Sequence, residues 1–130
     1  MCIKKTTFDK NKNESPIEEY DKTDKHLIKK TTLDHWTNVT TLEEYDETGQ
    51  YALKRTTLLE DKINKINEYE KVGTGKKVKL VHLGTTRYDY NKNRKTIKLY
   101  TKQDQLFEQK EYLKDKLIKT NKYYILYIST

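Results

Sequence analysis

The positions of apolar and polar residues repeat along this chain. The run Ile3-Lys4-Lys5-Thr6-Thr7-Phe8-Asp9 returns as Ile28-Lys29-Lys30-Thr31-Thr32-Leu33-Asp34 and as Leu53-Lys54-Arg55-Thr56-Thr57-Leu58, each displaced by 25 residues. An acidic run keeps step with it: Ile17-Glu18-Glu19-Tyr20-Asp21, then Leu42-Glu43-Glu44-Tyr45-Asp46, then Ile66-Asn67-Glu68-Tyr69-Glu70 after 24 residues. The basic runs predict strands, because paired Thr residues are stiff at χ1 and suit a pleated surface better than a helix interior. Between acidic and basic runs lies a polar turn, most legible at Asp46 to Gln50, where Thr48-Gly49 supplies a residue that tolerates positive φ beside an Asp that can bond the turn backbone. A period of this length marks units that bury surface only by stacking on their neighbours, since one hairpin is marginal in water.

The pattern loosens after Lys71. Val72-Gly73-Thr74-Gly75 reads as a longer turn, followed by an alternating strand over Lys77-Val78-Lys79-Leu80-Val81-His82-Leu83. Thr85-Thr86-Arg87-Tyr88-Asp89-Tyr90-Asn91-Lys92-Asn93 then echoes Thr6 to Asn13. The expectation is an all-β fold, an antiparallel β-hairpin repeat array forming a meander in a single-layer sheet or a solenoid. Its repeats fall at about 3–24, 28–49, 53–76 and 77–105, with C-terminal strands or a cap over 106–130. The apolar run Tyr123-Tyr124-Ile125-Leu126-Tyr127 reads as a capping strand. Leu106-Phe107-Glu108-Gln109-Lys110-Glu111-Tyr112 reads as a further strand, with a short helix near 106–118 as the competing reading, since Lys110, Glu111, Lys114 and Lys116 are good helix formers.

Composition supports a thin sheet. Of 130 residues, 33% are hydrophobic and 36% charged, with a mean hydropathy of −1.10, too little apolar surface to fill a thick two-layer core. Eleven Tyr, one Pro and four Gly argue against disorder. Alternation of basic and acidic strands can set Lys and Arg opposite Glu across an antiparallel ladder, each exposed pair contributing roughly 0.2–1 kcal/mol. The same ladder accounts for the Glu18/Glu19 and Glu43/Glu44 pairs without catalysis, since a general acid needs a carboxyl desolvated in a cleft.

The motif Glu-Tyr-Asp-x-x-Thr-Gly followed by Leu-Lys-Arg-Thr-Thr, at Glu44 to Thr57, resembles the short tandem repeats of a family of unknown function abundant in phytoplasma proteins. It is more distantly similar to MORN-like and YD-repeat proteins. The resemblance covers about residues 3–105 and is best over 42–70. Asp24 stands where the first repeat would carry the turn Gly, Thr101-Lys102-Gln103-Asp104 replaces that turn in the fourth, and the family's Asp-Gly turn is missing. The resemblance implies a repeat fold and no catalytic activity.

Candidate chemistry is sparse, and neither a catalytic residue nor a cofactor is expected. Cys2 is the single cysteine, so no internal disulfide forms, and it reads as inert. Asp9-x-Asn11-x-Asn13 and Asp89-x-Asn91-x-Asn93 match the start of a calcium loop, but Glu14 and Arg94 stand where Gly is needed and Tyr20 and Tyr100 where a bidentate Glu is needed, so they read as turns and no metal is expected. His26, His35 and His82 fall at unrelated repeat phases and read as solvated surface residues. Trp36 reads as a loop anchor packed on the sheet. Tyr20, Tyr45, Tyr69 and Tyr100 share a repeat phase and are expected to fill the thin core as a ladder. Tyr51, Tyr88 and Tyr90 lie outside that phase and are the candidate contacts for a protein partner, Tyr offering large contact area with few torsions to freeze.

Charge is uneven. Residues 1–70 carry 12 Lys and Arg against 15 Asp and Glu, a net of −3, and residues 71–130 carry 15 against 5, a net of +10. Arg87, Lys92, Arg94, Lys95 and Lys98, interleaved with aromatics, are therefore candidate contacts for nucleic acid or an anionic membrane surface. The leading expectation is a non-enzymatic binding module that presents a polar, Tyr-rich β surface to a protein partner, with its oligomeric state open. No run approaches the roughly 18 apolar residues of a membrane helix, and Met1 to Phe8 is short and polar for a secretory signal. A soluble chain is expected, cytoplasmic or secreted after removal of a signal.

Overall fold

The computed structural model describes residues 3–8, 10–11 and 13–124. Cys2, Asp9 and the Ile125-Leu126-Tyr127 part of the expected capping strand lie outside the described residues. Ten strands follow chain order: β1 (Ile3–Thr6), β2 (Glu14–Tyr20), β3 (Leu27–Asp34), β4 (Val39–Tyr45), β5 (Ala52–Leu59), β6 (Lys62–Val72), β7 (Lys79–Asp89), β8 (Arg94–Tyr100), β9 (Leu106–Leu113) and β10 (Lys116–Lys122). They form one open antiparallel meander in the order β1 to β10, as the repeat predicts. The helix considered near 106–118 does not form; its residues make β9, a two-residue turn and β10. Cross-strand pairing overrides the helical preference of the lysines, setting Glu108 opposite Lys122 and Glu111 opposite Lys119.

The chain divides into two compact units, Met1–Ile66 and Asn67–Thr130. In the first, register is set by charge. Lys5 faces Glu18, Glu18 faces Lys30, Lys30 faces Glu43 and Glu43 faces Arg55. A second row, Lys4-Glu19-Lys29-Glu44-Lys54, runs beside it on the other face of the sheet. Arg55 Nη2 lies 2.9 Å from Glu43 Oε2, and Glu19 lies 3.7 Å from Lys4 Nζ and 3.9 Å from Lys29 Nζ. A slip of one residue would leave one cation and one glutamate at each interface opposite an uncharged residue and send every side chain to the wrong face.

Two kinds of turn alternate. After β2, β4 and β8, one side chain collects the turn amides: Asp21 Oδ1 accepts from the Thr23, Lys25 and His26 nitrogens, Asp46 Oδ1 from those of Gln50 and Tyr51, and Thr101 Oγ1 from those of Gln103 and Gln105. The left-handed position falls on Asp24 (φ 60°), Gly49 (φ 76°) and Asp104 (φ 62°). Replacement of the turn Gly thus leaves the turn intact, because Asp adopts αL more readily than most residues. Each such turn leads into a β-bulge, with Tyr20 opposite Leu27, Tyr45 opposite Ala52 and Tyr100 opposite Leu106, so that Ile28, Leu53 and Phe107 are the extra residues. Of the remaining turns, five close on Asn13, Asn38 and Asn93, all at positive φ, or on the two-residue pairs Glu60-Asp61 and Lys114-Asp115, and the longer β6–β7 connection carries Gly73 and Gly75 at positive φ.

Burial is shallow. Among the described residues Val81 is the sole buried hydrophobic side chain, joined by Asp46, Thr56 and Thr85. Such shallow burial is what a chain of low apolar content can build.

Candidate interaction surface

The register of β7, β8 and β9 sorts the sequence candidates by face. Arg87 pairs with Thr96, Asp89 with Arg94 and Thr85 with Lys98, so Arg87, Arg94 and Lys98 share one face. Lys95 pairs with Tyr88 on one side and Tyr112 on the other, and this row occupies the opposite face. The five basic candidates are therefore divided: three on one face, Lys95 on the other, and Lys92 in the intervening turn, where its amide donates to Asp89 Oδ1 at 3.3 Å.

On the Lys95 face the row continues from Tyr112 to Leu117, which is 52% exposed. Lys95 Nζ sits 4.5 Å from the centre of the Tyr112 ring, a cation-π contact. Tyr90, in the turn after β7, stacks on Tyr88 with centroids 6.0 Å apart and ring planes 10° from parallel, and Tyr90 is 48% exposed. The two tyrosines singled out here by sequence thus meet, and the structure adds Tyr112 and Leu117. Cross-strand register is the signal that links these, and it cannot be read from phase alone. Tyr51 belongs to the other unit, half-buried, with its amide donating to Asp46 Oδ1 and its carbonyl accepting from the Asp46 amide.

Tyr20, Tyr45, Tyr69 and Tyr100 are all half-buried rather than fully buried, and they behave differently in the two units. The Tyr20 hydroxyl donates to Glu18 Oε2 at 2.9 Å, which holds its pKa above the usual tyrosine value, while Lys5 Nζ lies 4.5 Å over its ring. Burial, then the nearby Glu43 charge, raises the Tyr45 pKa. In the second unit the His82 ring lies between Tyr69 (5.2 Å) and Tyr100 (4.6 Å). Thr85 Oγ1 donates to Asn67 Oδ1 at 2.7 Å and so accepts from His82 Nε2 at 2.8 Å; that nitrogen also points at the Gly84 carbonyl, 3.0 Å away. These bonds fix the tautomer with its proton on Nε2.

The histidines are partnered, not simply solvated. His26 Nδ1 lies 2.9 Å from Asp21 Oδ2, and His35 Nε2 lies 2.7 Å from Ser15 Oγ with its ring edge-on to Phe8 at 5.8 Å. Trp36, expected to pack on the sheet, is 74% exposed. Its amide donates to Asp34 Oδ1 at 2.9 Å. With the Asn13 amide turned to put its oxygen toward the indole, that oxygen accepts from Trp36 Nε1 at 2.9 Å.

The Asp89-x-Asn91-x-Asn93 segment is a turn. Asp89 Oδ1 accepts from the Asn91 and Lys92 amides, and Asn93 takes the left-handed position. Among the described residues no group of three or more His, Cys, Asp or Glu converges where a metal ion could be held, and no helix is long and apolar enough to cross a membrane. A shallow depression of about 360 Å³ is lined by Phe107, Glu108, Lys122 and Tyr123. No protein-family model matches the chain, and no curated protein matches it.

Proposed function

We propose that the protein is a non-enzymatic recognition module, and that it meets a protein partner through Tyr90 and the row Tyr88-Lys95-Tyr112-Leu117. The observation that carries this reading is the parallel stack of a half-exposed Tyr90 on Tyr88, beside a lysine already held over Tyr112. Rings fixed by neighbours on a rigid sheet lose little conformational entropy when a partner covers them, and tyrosine is enriched among residues that dominate binding energy. The test compares capture by the intact chain, by Tyr88→Ser/Tyr90→Ser and by Arg87→Gln/Arg94→Gln/Lys98→Gln, with each captured protein re-tested in purified form. A partner whose affinity falls about tenfold or more in the tyrosine variant and holds in the other supports the reading. Indifference to the tyrosine pair overturns it.

A second reading is binding of nucleic acid or an anionic membrane surface by the basic residues of 71–130, favoured by the shared face of Arg87, Arg94 and Lys98. Oligonucleotide or vesicle binding that falls steeply with salt, with a slope flattened in the triple variant, would favour it over the first.

A further inference from the structure

The open edge of β1 has a specific chemistry. β1 and β3 carry the same Ile-Lys-Lys-Thr sequence at its start and one step on, and β3 lies between two acidic strands. Lys29 faces Glu19 on one side and Glu44 on the other, and Lys30 faces Glu18 and Glu43. β1 has the same two lysines and only one such neighbour: Lys4 faces Glu19 and Lys5 faces Glu18, both from β2. No described strand covers its other side, and all four of its residues are exposed.

The backbone points the same way. The Thr7 amide donates to the Pro16 carbonyl at 3.1 Å. In an antiparallel ladder the side on which a residue bonds alternates, so Ile3 and Lys5 direct their amides at β2 while Lys4 and Thr6 direct N–H and C=O outward. A strand added there would meet two outward amides, two outward carbonyls and two lysines: Lys4, with a carboxylate on the β2 side alone, and Lys5, whose Nζ lies 3.0 Å from Asp24 Oδ1 and which an incoming glutamate would share with that residue. Lysine on an edge deters pairing with a basic or neutral strand. It does not deter an acidic one.

We propose that the β1 edge binds an extended acidic protein segment of the form aliphatic-Glu-Glu-Tyr by antiparallel strand addition. Its two glutamates would lie opposite Lys5 and Lys4 and its aliphatic residue opposite Thr6, as Glu18, Glu19 and Ile17 lie opposite Lys30, Lys29 and Thr31. This surface is separate from the tyrosine row, and its fate does not depend on the reading given above.

The probe is a capped peptide with the sequence of residues 39–46, Val-Thr-Thr-Leu-Glu-Glu-Tyr-Asp, titrated into the full chain at low salt and followed by amide NMR and hydrogen exchange. The expected result is slowing of exchange at Lys4 and Thr6 by about tenfold or more, with the β10 amides unchanged. The same peptide bearing Glu43→Lys and Glu44→Lys should not bind, and a chain bearing Lys4→Glu and Lys5→Glu should reverse that preference. Thr6→Pro removes an outward amide without breaking a β1–β2 bond, so it should abolish binding while leaving the β2 amides protected. Equal binding of acidic and basic peptides, protection confined to β10, full binding by Thr6→Pro, or no change with the acidic peptide overturns the proposal.

Discussion

A Cβ placed on Gly49 would lie 2.7 Å from the backbone nitrogen of Leu27 and 3.1 Å from its carbonyl oxygen. The turn between β4 and β5 therefore rests on the first residue of β3, and glycine is needed there for approach as well as for its φ of 76°. Gly49→Ala should cost about 2 kcal/mol or more, because backbone on both sides must shift. Gly75, with φ 60° and nothing within 4 Å of a built Cβ, serves as the control, and Gly75→Ala should cost about 1 kcal/mol. Urea unfolding of the two variants checks the difference.

The two-residue turn between β9 and β10 places Lys114 at φ 48° and Asp115 at φ 65°. Such a turn favours Asn-Gly, since both central residues are left-handed. Lys114→Asn with Asp115→Gly should stabilise the chain by about 1 kcal/mol. An unchanged or lower urea midpoint would show that the native side chains make compensating contacts.

The ladder of charges predicts salt dependence. Glu43 lies between Lys30 and Arg55 and is only 18% exposed at its side chain. Glu43→Lys would align three cations across adjacent strands and should destabilise by about 1–2 kcal/mol at low ionic strength. About 1 M salt should recover much of that loss, and Glu43→Gln should lose less and recover little.

The strands were legible because the 25-residue displacement and the sign of the charges specify the same pairing: Lys29 and Lys30 have no other acidic run within reach of a short turn. The strand reading of 106–118 was also available, since Lys114-Asp115 separates two runs as Glu60-Asp61 separates β5 from β6. Local helix propensity keeps a helix open there beside the strands, and the cross-strand pairs decide for the strands. The division of Arg94 from Lys95 follows from the two-residue period of a strand, yet a count of charge along the sequence merges them. The His82 stack was not legible. Tyr69, His82 and Tyr100 come from three strands, and His82 stands at a repeat phase that it shares with neither tyrosine.

Thr85 is the buried centre of that cluster, 7% exposed, donating to Asn67 and accepting from His82. Thr85→Val keeps the shape and removes the hydroxyl, leaving Asn67 Oδ1 without its donor and His82 Nε2 with the Gly84 carbonyl alone. The expected cost is about 1–3 kcal/mol, the range for stranding a part-buried polar group. Thr85→Ser retains the hydroxyl and should preserve the His82 ring-current shifts from Tyr69 and Tyr100, which Thr85→Val should alter.

Asp21 gives the chain an acid-sensitive turn. The Thr23 hydroxyl at 2.7 Å is the largest cause holding its carboxyl well below the usual value of 3.8, and His26 Nδ1 and the Lys25 and His26 amides act in the same direction. The folded pKa is depressed, so the stabilisation is fully present above the unfolded value. As pH falls below about 4 the unfolded chain takes up the proton first, and the contribution is lost as pH approaches the folded pKa. Asp21→Asn keeps an acceptor oxygen but cannot ionise, so the variant should be less stable at neutral pH. The gap to the intact chain should then narrow as pH is lowered from about 6 to about 2. Chemical unfolding of both proteins across that range isolates Asp21 from the other carboxylates, which titrate in each. A gap that stays constant with pH would mean that the ionised carboxylate contributes nothing beyond its hydrogen-bond geometry.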